Sequence, residues 1–370
     1  MKRFAAAIVA LIVASAPARG AVKADETVVF YPAIAVRVGD DWQFELRTRI
    51  VAARRFIVPQ MLAPLRQVLH LEHLNDAEEA IFHDRARLFL TDSETGKALN
   101  VQLGQRIIAL QRSGVGGFSL TRLSVADTDA QRIPLAGYPT GWVGVRAVLD
   151  QQDRRGFGGP VQLIDPQGVS IISDIDDTIK LTNVLDRREM TRNTFARPFI
   201  AVPGMAEVYA RWLKTTPGGA VHYVSAGPWQ LYEPLEAFRQ ASGFPPGSYH
   251  LRALRVSELA QFGKPETTRA HKIAAIEALL KRYPDRTFWL VGDSGEQDPE
   301  IYGDIARRFG KQVARIFIRD ITNGPIDMER FRRAFDDLPS DLHAVFRVAS
   351  ELPETFMAPA AETTNTSNKK

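Results

Sequence analysis

Hydrophobic positions change rhythm partway along this chain of 370 residues, and the change divides it in two. Between residues 27 and 148 apolar and polar positions alternate in short runs, at 28–38, 42–50, 87–91, 107–110, 118–125 and 144–149. A period of two marks strands with one buried face. Turn-forming stretches such as Gly39-Asp40-Asp41 and Ser113-Gly114-Val115-Gly116-Gly117 separate the runs. Only 59–74 has helical spacing. The pattern predicts a smaller β-sandwich-like domain over 25–150, with no catalytic constellation in it.

A glycine- and proline-bearing stretch at 151–167 reads as linker. After it the rhythm becomes strand, helix, strand, helix. Strands are predicted at 169–173, 220–225, 250–254, 287–292 and 313–318, and helices at 205–214, 229–240, 267–282 and 299–309. Such alternation implies right-handed crossovers, hence an α/β domain with a Rossmann-like parallel sheet over 168–340. Residues 341–370 are expected to form a C-terminal helix and a disordered tail.

The candidate chemistry lies where these apolar strands end. Ile171-Ile172-Ser173 runs directly into Asp174-Ile175-Asp176-Asp177-Thr178. Clustered carboxylates repel unless a cation or a proton-transfer role relieves them. A second strand ends in Ser225, and a third in Gly292-Asp293-Ser294, with Asp298 following. Lys272 lies on the helix leading into that third strand. Strands of a parallel sheet end on one edge, so Asp174, Ser225 and Asp293 should converge there. Taken singly, each has a bland reading: a helix-capping turn, a strand-end hydroxyl, a common Gly-Asp turn. In this order on alternating strands they point to metal-assisted phosphoryl transfer.

Composition narrows the possibilities. Without cysteine the chain has no disulfide, thiolate metal site or thiol nucleophile. The balance of 47 Lys and Arg against 43 Asp and Glu, a net +4, argues against a dedicated nucleic-acid partner. Met1-Lys2-Arg3 followed by a short apolar run and small residues reads as a signal peptide over 1–24, cleaved near 18–21. The expected location is periplasmic or secreted.

The run Asp174-x-Asp176-x-Thr178, then Ser225, Lys272 and Gly292-Asp293-Ser294 with Asp298, resembles the haloacid-dehalogenase-like phosphatase superfamily. Val202-Pro203-Gly204-Met205, Val224 to Tyr232, Phe262-Gly263-Lys264-Pro265, His271-Lys272 and Ile316 to Ile321 make the stretch 168–321 similar to one branch of it. That branch is the actin-patch-associated phosphatidate phosphatase family. The resemblance implies Asp174 as nucleophile and Asp176 as general acid and base. It implies Mg²⁺ on Asp174, Asp293 and the Asp176 carbonyl, and phosphatidate as substrate. Ser225 and Lys272 would hold the phosphoryl oxygens, with Lys264 as the rival lysine. Thr178 would order the loop. Asp177 would cap the loop or back the metal, and Asp298 would orient Lys272 or the metal shell. Trp229 is either core or substrate contact.

Gly227 stands where that family often carries a second serine, which leaves its head-group contacts open. About 26 residues separate Thr178 from the helix starting at Met205, so the cap should be minimal and the site open. Arg187, Arg188, Arg192 and Arg197 in this stretch make it either a lid that meets anionic membrane surfaces or a solvated loop. Two alternatives to a phosphatidate phosphatase remain: a broad-specificity phosphomonoesterase outside the cytoplasm, and a non-catalytic scaffold.

Overall fold

The computed structural model describes residues 20–52, 59–131, 133–254, 258–259, 262–322 and 324–355. The signal-peptide reading falls mostly on residues 1–19, and the expected disordered tail on 356–370; both lie outside the described residues.

The first part is built on a nine-stranded sheet: β1 (Glu26–Phe30), β2 (Ala33–Val38), β3 (Asp41–Ala52), β4 (Asp92–Ser93), β5 (Asn100–Leu103), β6 (Arg106–Ala109), β7 (Phe118–Ala126), β8 (Trp142–Val148) and β9 (Gly158–Ile164). Helices α1 (Pro59–Val68), α2 (Asp76–Ala86) and α3 (Asp127–Ala130) interrupt it. A sandwich of two sheets was expected; the strands instead form one curved sheet. The reason is β3, whose 12 residues pair with β1 and β2 along one edge and with β7 and β4 along the other. Beyond β6 the edges meet again, where Ser119 Oγ donates to Gln111 O (2.6 Å) and Gln111 N donates to Thr121 Oγ1 (2.9 Å). Phe44, Leu46, Val101, Leu123, Val145 and Val161 fill the interior.

Two other expectations change here. The stretch read as linker contains β9, parallel to β2 and antiparallel to β8. Its glycines serve close approach rather than flexibility: a Cβ on Gly159 would come within 2.5 Å of Phe30 Cβ. The strand expected at 87–91 is a turn following α2, which starts in a capping box between Asn75 and Glu78.

The second part is a six-stranded parallel sheet in the order β12-β11-β10-β13-β14-β15. Its strands are β10 (Gly168–Asp174), β11 (Ala220–Pro228), β12 (Ser248–Arg252), β13 (Arg286–Asp293), β14 (Val313–Arg319) and β15 (His343–Phe346). The helices are α4 (Arg187–Phe195), α5 (Met205–Lys214), α6 (Tyr232–Ala241), α7 (Pro265–Arg282), α8 (Asp298–Phe309) and α9 (Met328–Ala334). β15 corrects the C-terminal helix: His343–Phe346 completes the sheet edge beside β14.

Both faces of this sheet are covered, as its near-continuous apolar strands require. Ile171 and Trp289 face a core shared with Tyr209 and Trp212 of α5, while Ile172 and Leu290 face Ile276 of α7 and Ile301 of α8. The first core also takes in Tyr31, Leu62, Leu65 and Phe82 from the N-terminal part. On the other face Tyr283 Oη donates to Ala35 O (3.2 Å) and Arg282 Nη2 to Ile34 O (3.0 Å). The buried Arg286 holds the start of β10, donating to Ser170 Oγ and to the carbonyls of Asp165, Gln167, Val169 and Gly218 at 2.6–3.0 Å. With its charge fully hydrogen-bonded, that guanidinium can remain buried. Among the described residues no helix is long and apolar enough to cross a membrane.

Candidate active site

Register alone brings the carboxylates together. β10 and β13 are neighbours, with Ser173 opposite Val291, so Asp174 and Asp293 leave the same edge of the sheet within two residues of each other's level. Asp293 Oδ1 then accepts from Gly295 N (2.6 Å) and Glu296 N (3.2 Å), closing a tight turn that delivers Asp298 to the first position of α8. The positive end of the helix dipole favours an acid there. One carboxylate oxygen from each of Asp174, Asp293 and Asp298 lies within 4.8 Å of the others, all three residues buried.

Lys272 of α7 enters this group from the side. Its Nζ lies 2.8 Å from Asp174 Oδ1, 2.6 Å from Asp298 Oδ1 and 2.8 Å from Glu296 Oε2. Burial works against its charge, but Asp174, Asp298 and Glu296 outweigh that and push its pKa well up. Asp174 is pushed in the same direction, well above the usual carboxylate range. Burial is the main cause, opposed by Lys272 and reinforced by Asp298, Asp293 and Glu296. Asp293 is raised likewise by burial and then by Asp298. Four carboxylates therefore face one ammonium.

That imbalance is the test for a cation. Asp174 Oδ2 and Asp293 Oδ2 are buried with no hydrogen-bond donor among the described residues. Orphaned carboxylate oxygens in a dry site cost stability unless something positive satisfies them. Hard oxygens, few in number, match what Mg²⁺ prefers. The residues fit a divalent cation.

A second cluster adjoins the first. Asp176 Oδ1 meets Lys180 Nζ (2.8 Å) and accepts from Thr182 Oγ1 (2.8 Å), while Oδ2 accepts from Ser225 Oγ (3.0 Å). Burial alone would raise its pKa, yet Lys180, Thr182 and Ser225 together hold it below the usual value. Ser225 Oγ also accepts from Gly227 N (3.0 Å). Asp177, at φ 54°, turns the chain: its carboxylate accepts from the amides of Thr182, Asn183 and Val184 at 2.7–2.9 Å. Of the two roles expected for Asp177, the loop cap is the one with visible contacts. Thr178 is buried beneath, its hydroxyl without a partner among the described residues.

The structure thus gathers Asp174, Lys272, Asp293 and Asp298 at one point and Asp176 with Ser225 beside it. Lys264 makes no ion pair with this group among the described residues. It stands at the start of α7, and its loop packs on α4 through a Phe262–Phe195 ring contact at 5.4 Å. Trp229 is buried in the core, edge-on to Tyr31 (4.8 Å between ring centres) and under the Arg47 guanidinium. Of its two readings, core is the one the contacts carry.

Glu296 escaped the sequence reading, which left Lys180 as a surface or flap lysine, although each is charged and directed at a predicted site residue. Spacing held one signal: Lys180 and Thr182 alternate in phase four and six residues after Asp176. Two of the four arginines of 183–203 are already engaged within the molecule. Arg192 and Arg197 both pair with Glu78 of α2 at 2.8 Å, so α4 is fastened to the N-terminal part.

Comparison with known proteins agrees with this geometry. Residues 169–320 match the family model described as phosphatidate phosphatase APP1, catalytic domain. The chain is similar to a Saccharomyces cerevisiae protein named phosphatidate phosphatase APP1, at 33% identity over 211 residues, 56% of this chain and 33% of that one. It is also similar to an uncharacterized Schizosaccharomyces pombe protein, at 33% identity over 186 residues, 48% of this chain and 30% of that one. The chain spans about a third of the length of these curated relatives.

Proposed function

We propose that this chain, whose residues 169–320 belong to the family of APP1-type phosphatidate phosphatase catalytic domains, hydrolyses phosphate monoesters and takes phosphatidate as substrate. Diacylglycerol and inorganic phosphate are the products. The observation that carries the proposal is the buried group of Asp174, Asp293 and Asp298 around Lys272, with two carboxylate oxygens lacking donors. The order of Asp174, Asp176, Thr178, Ser225, Lys272 and Asp293 along alternating strands supports a haloacid-dehalogenase-like catalyst. The N-terminal residues support export, with activity in the periplasm or outside the cell.

In this reading an oxygen of Asp174 attacks phosphorus, forming an aspartyl-phosphate as the bond from phosphorus to the alcohol oxygen breaks. Asp176 gives the departing alkoxide its proton. Its anionic resting state, held by Lys180, must first be protonated, and the negative charge of an arriving phosphate favours that. Asp176 then takes a proton from water as that water attacks phosphorus and breaks the bond to Asp174. Lys272 stays charged throughout and holds the phosphoryl oxygens. Ser225, already on Asp176, keeps that carboxyl oriented and offers its hydroxyl to the substrate. Asp174, Asp293 and the Asp176 carbonyl, with Asp298 alongside, would hold Mg²⁺, which would offset the repulsion between carboxylate and phosphate.

The test compares purified protein on phosphatidate in mixed micelles, glycerol phosphate and nucleotides, with Mg²⁺ and with chelator. Phosphatidate should be turned over fastest, chelator should stop it, and Asp174→Asn should abolish it with the fold intact. Full activity of Asp174→Asn would end the mechanism. Equal turnover of the soluble esters would replace the lipid substrate with a broad phosphomonoesterase role.

A further inference from the structure

We propose that the flap beside the active site is a membrane-contact surface that brings an anionic bilayer to the mouth of the site. The inference deepens the lipid-substrate reading and rests on it. Two extended segments form the flap. Leu181 N donates to Ile200 O (2.8 Å), Val202 N donates to Ile179 O (2.9 Å), and Lys180 bridges Ala201. Extended backbone sends successive side chains to opposite sides. Lys180 and Thr182 therefore reach Asp176, and Leu181 between them points to solvent. Ile179, two residues before Leu181, and Val202, two after Ile200, are buried in the core and anchor the flap there.

What the flap shows to solvent is unusual. Leu181 is 36% exposed, Leu185 58% and Ile200 59%, three large apolar side chains on one small structure. Asp177 accepts from the backbone amides of Thr182, Asn183 and Val184, which fixes the loop between Leu181 and Leu185. A fixed apolar patch kept in water marks a contact surface.

Charge selects the partner. Arg187 and Arg188, at the start of α4, are exposed, and among the described residues no carboxylate pairs with either. Arg192 and Arg197, a turn or two later, are engaged by Glu78. The nearby Asp186 is used as the cap of α4, accepting from Arg188 N and Glu189 N. Apolar side chains rimmed by free arginines suit the headgroup region of an anionic bilayer. Position adds to this. A lipid phosphate lies at the bilayer surface, and the segment bearing Leu181 also bears Lys180 and Thr182, so the depth of contact and the placement of Asp176 are set together.

The experiment uses the full chain, with sedimentation on phosphatidylcholine vesicles containing or lacking phosphatidylglycerol. Alongside run phosphatidate hydrolysis in those vesicles and hydrolysis of p-nitrophenyl phosphate in solution. The double variant Leu185→Ser/Ile200→Ser should lose vesicle binding and vesicle turnover by about tenfold or more, from the apolar area withdrawn. Its turnover of p-nitrophenyl phosphate should equal the wild type, which also reports an intact fold. Arg187→Gln/Arg188→Gln should weaken binding only to the anionic vesicles, by about fivefold per arginine. Wild-type protein that fails to sediment with anionic vesicles overturns the inference and leaves the patch to a protein partner. So does a Leu185→Ser/Ile200→Ser protein that binds and cleaves in vesicles as the wild type does. If the wild type binds vesicles and cleaves p-nitrophenyl phosphate but spares phosphatidate, the contact surface stands and the substrate reading falls.

Discussion

Replacing Glu78 with glutamine should loosen the joint between the two halves of the molecule. Its carboxylate accepts from Arg192 Nε (2.8 Å), Arg192 Nη2 (2.9 Å) and Arg197 Nε (2.8 Å), and from the amide of Asn75 (3.2 Å). Glutamine keeps the length of the side chain and the cap, but removes the charge and turns an NH₂ group toward a guanidinium. A hydrogen bond to a charged group contributes about 1.5–3 kcal/mol when buried. Here the arginine side chains are 30% and 34% exposed, so water screens them and about 1 kcal/mol per bond is the better figure. Three bonds give a loss of about 2–3 kcal/mol.

Acid provides an independent check. Hydrogen bonds from Arg192, opposed by burial and joined by Arg197 and the Asn75 amide, bring the Glu78 pKa down from 4.5 to about 2. A carboxylate with a lowered folded-state pKa stabilises fully above its unfolded value, and that stability disappears as pH falls through the folded value. Urea unfolding of both proteins should therefore show the full gap near neutrality, narrowing as pH falls from about 4.5 toward 2. A gap below about 0.5 kcal/mol at neutral pH, or one that stays constant in acid, would refute the reasoning.

Three further outcomes concern the catalytic edge. Asp293→Asn removes one of four crowded carboxylates, so its melting temperature without metal should exceed the wild type's by about 2–4 °C per kcal/mol relieved. Mg²⁺ should raise the wild-type melting temperature and leave that of the variant unmoved; equal responses would argue against a cation at these carboxylates. Lys272→Met does the opposite, leaving the acids without their ammonium. It should cost about 3–5 kcal/mol in chelator and eliminate turnover, read by thermal unfolding and by hydrolysis of p-nitrophenyl phosphate. Gly292→Ala should lower turnover steeply while near-native secondary structure persists by circular dichroism.

Legibility in the sequence followed the source of each element's stability. β10, β11 and β13 carry apolar runs closed by Asp174, Ser225 and Gly292-Asp293, and α5 begins and ends where its spacing indicates, because an apolar stripe makes it. α2 escaped notice for the opposite reason: only Phe82 and Ala86 offer apolar contact, while Glu78 and Arg85 are buried through partners far away in sequence. β15 is four residues long and is recognisable only beside β14. At the site, Asp174, Ser225 and Asp293 could be placed because parallel strands share an edge. Glu296 could not, since its pairing with Lys272 appears only in three dimensions.

Gly292 has no side chain that could bind, donate or attack, yet a Cβ on it would fall 2.3 Å from Asp298 Oδ2 and 2.8 Å from a ring carbon of Tyr302. The bite of the acids is thus set by an atom that is missing. Any library that varies this chain while preserving every polar group should still find position 292 among its least tolerant. Attempts to graft the constellation onto another scaffold will need to copy that gap along with the side chains around it.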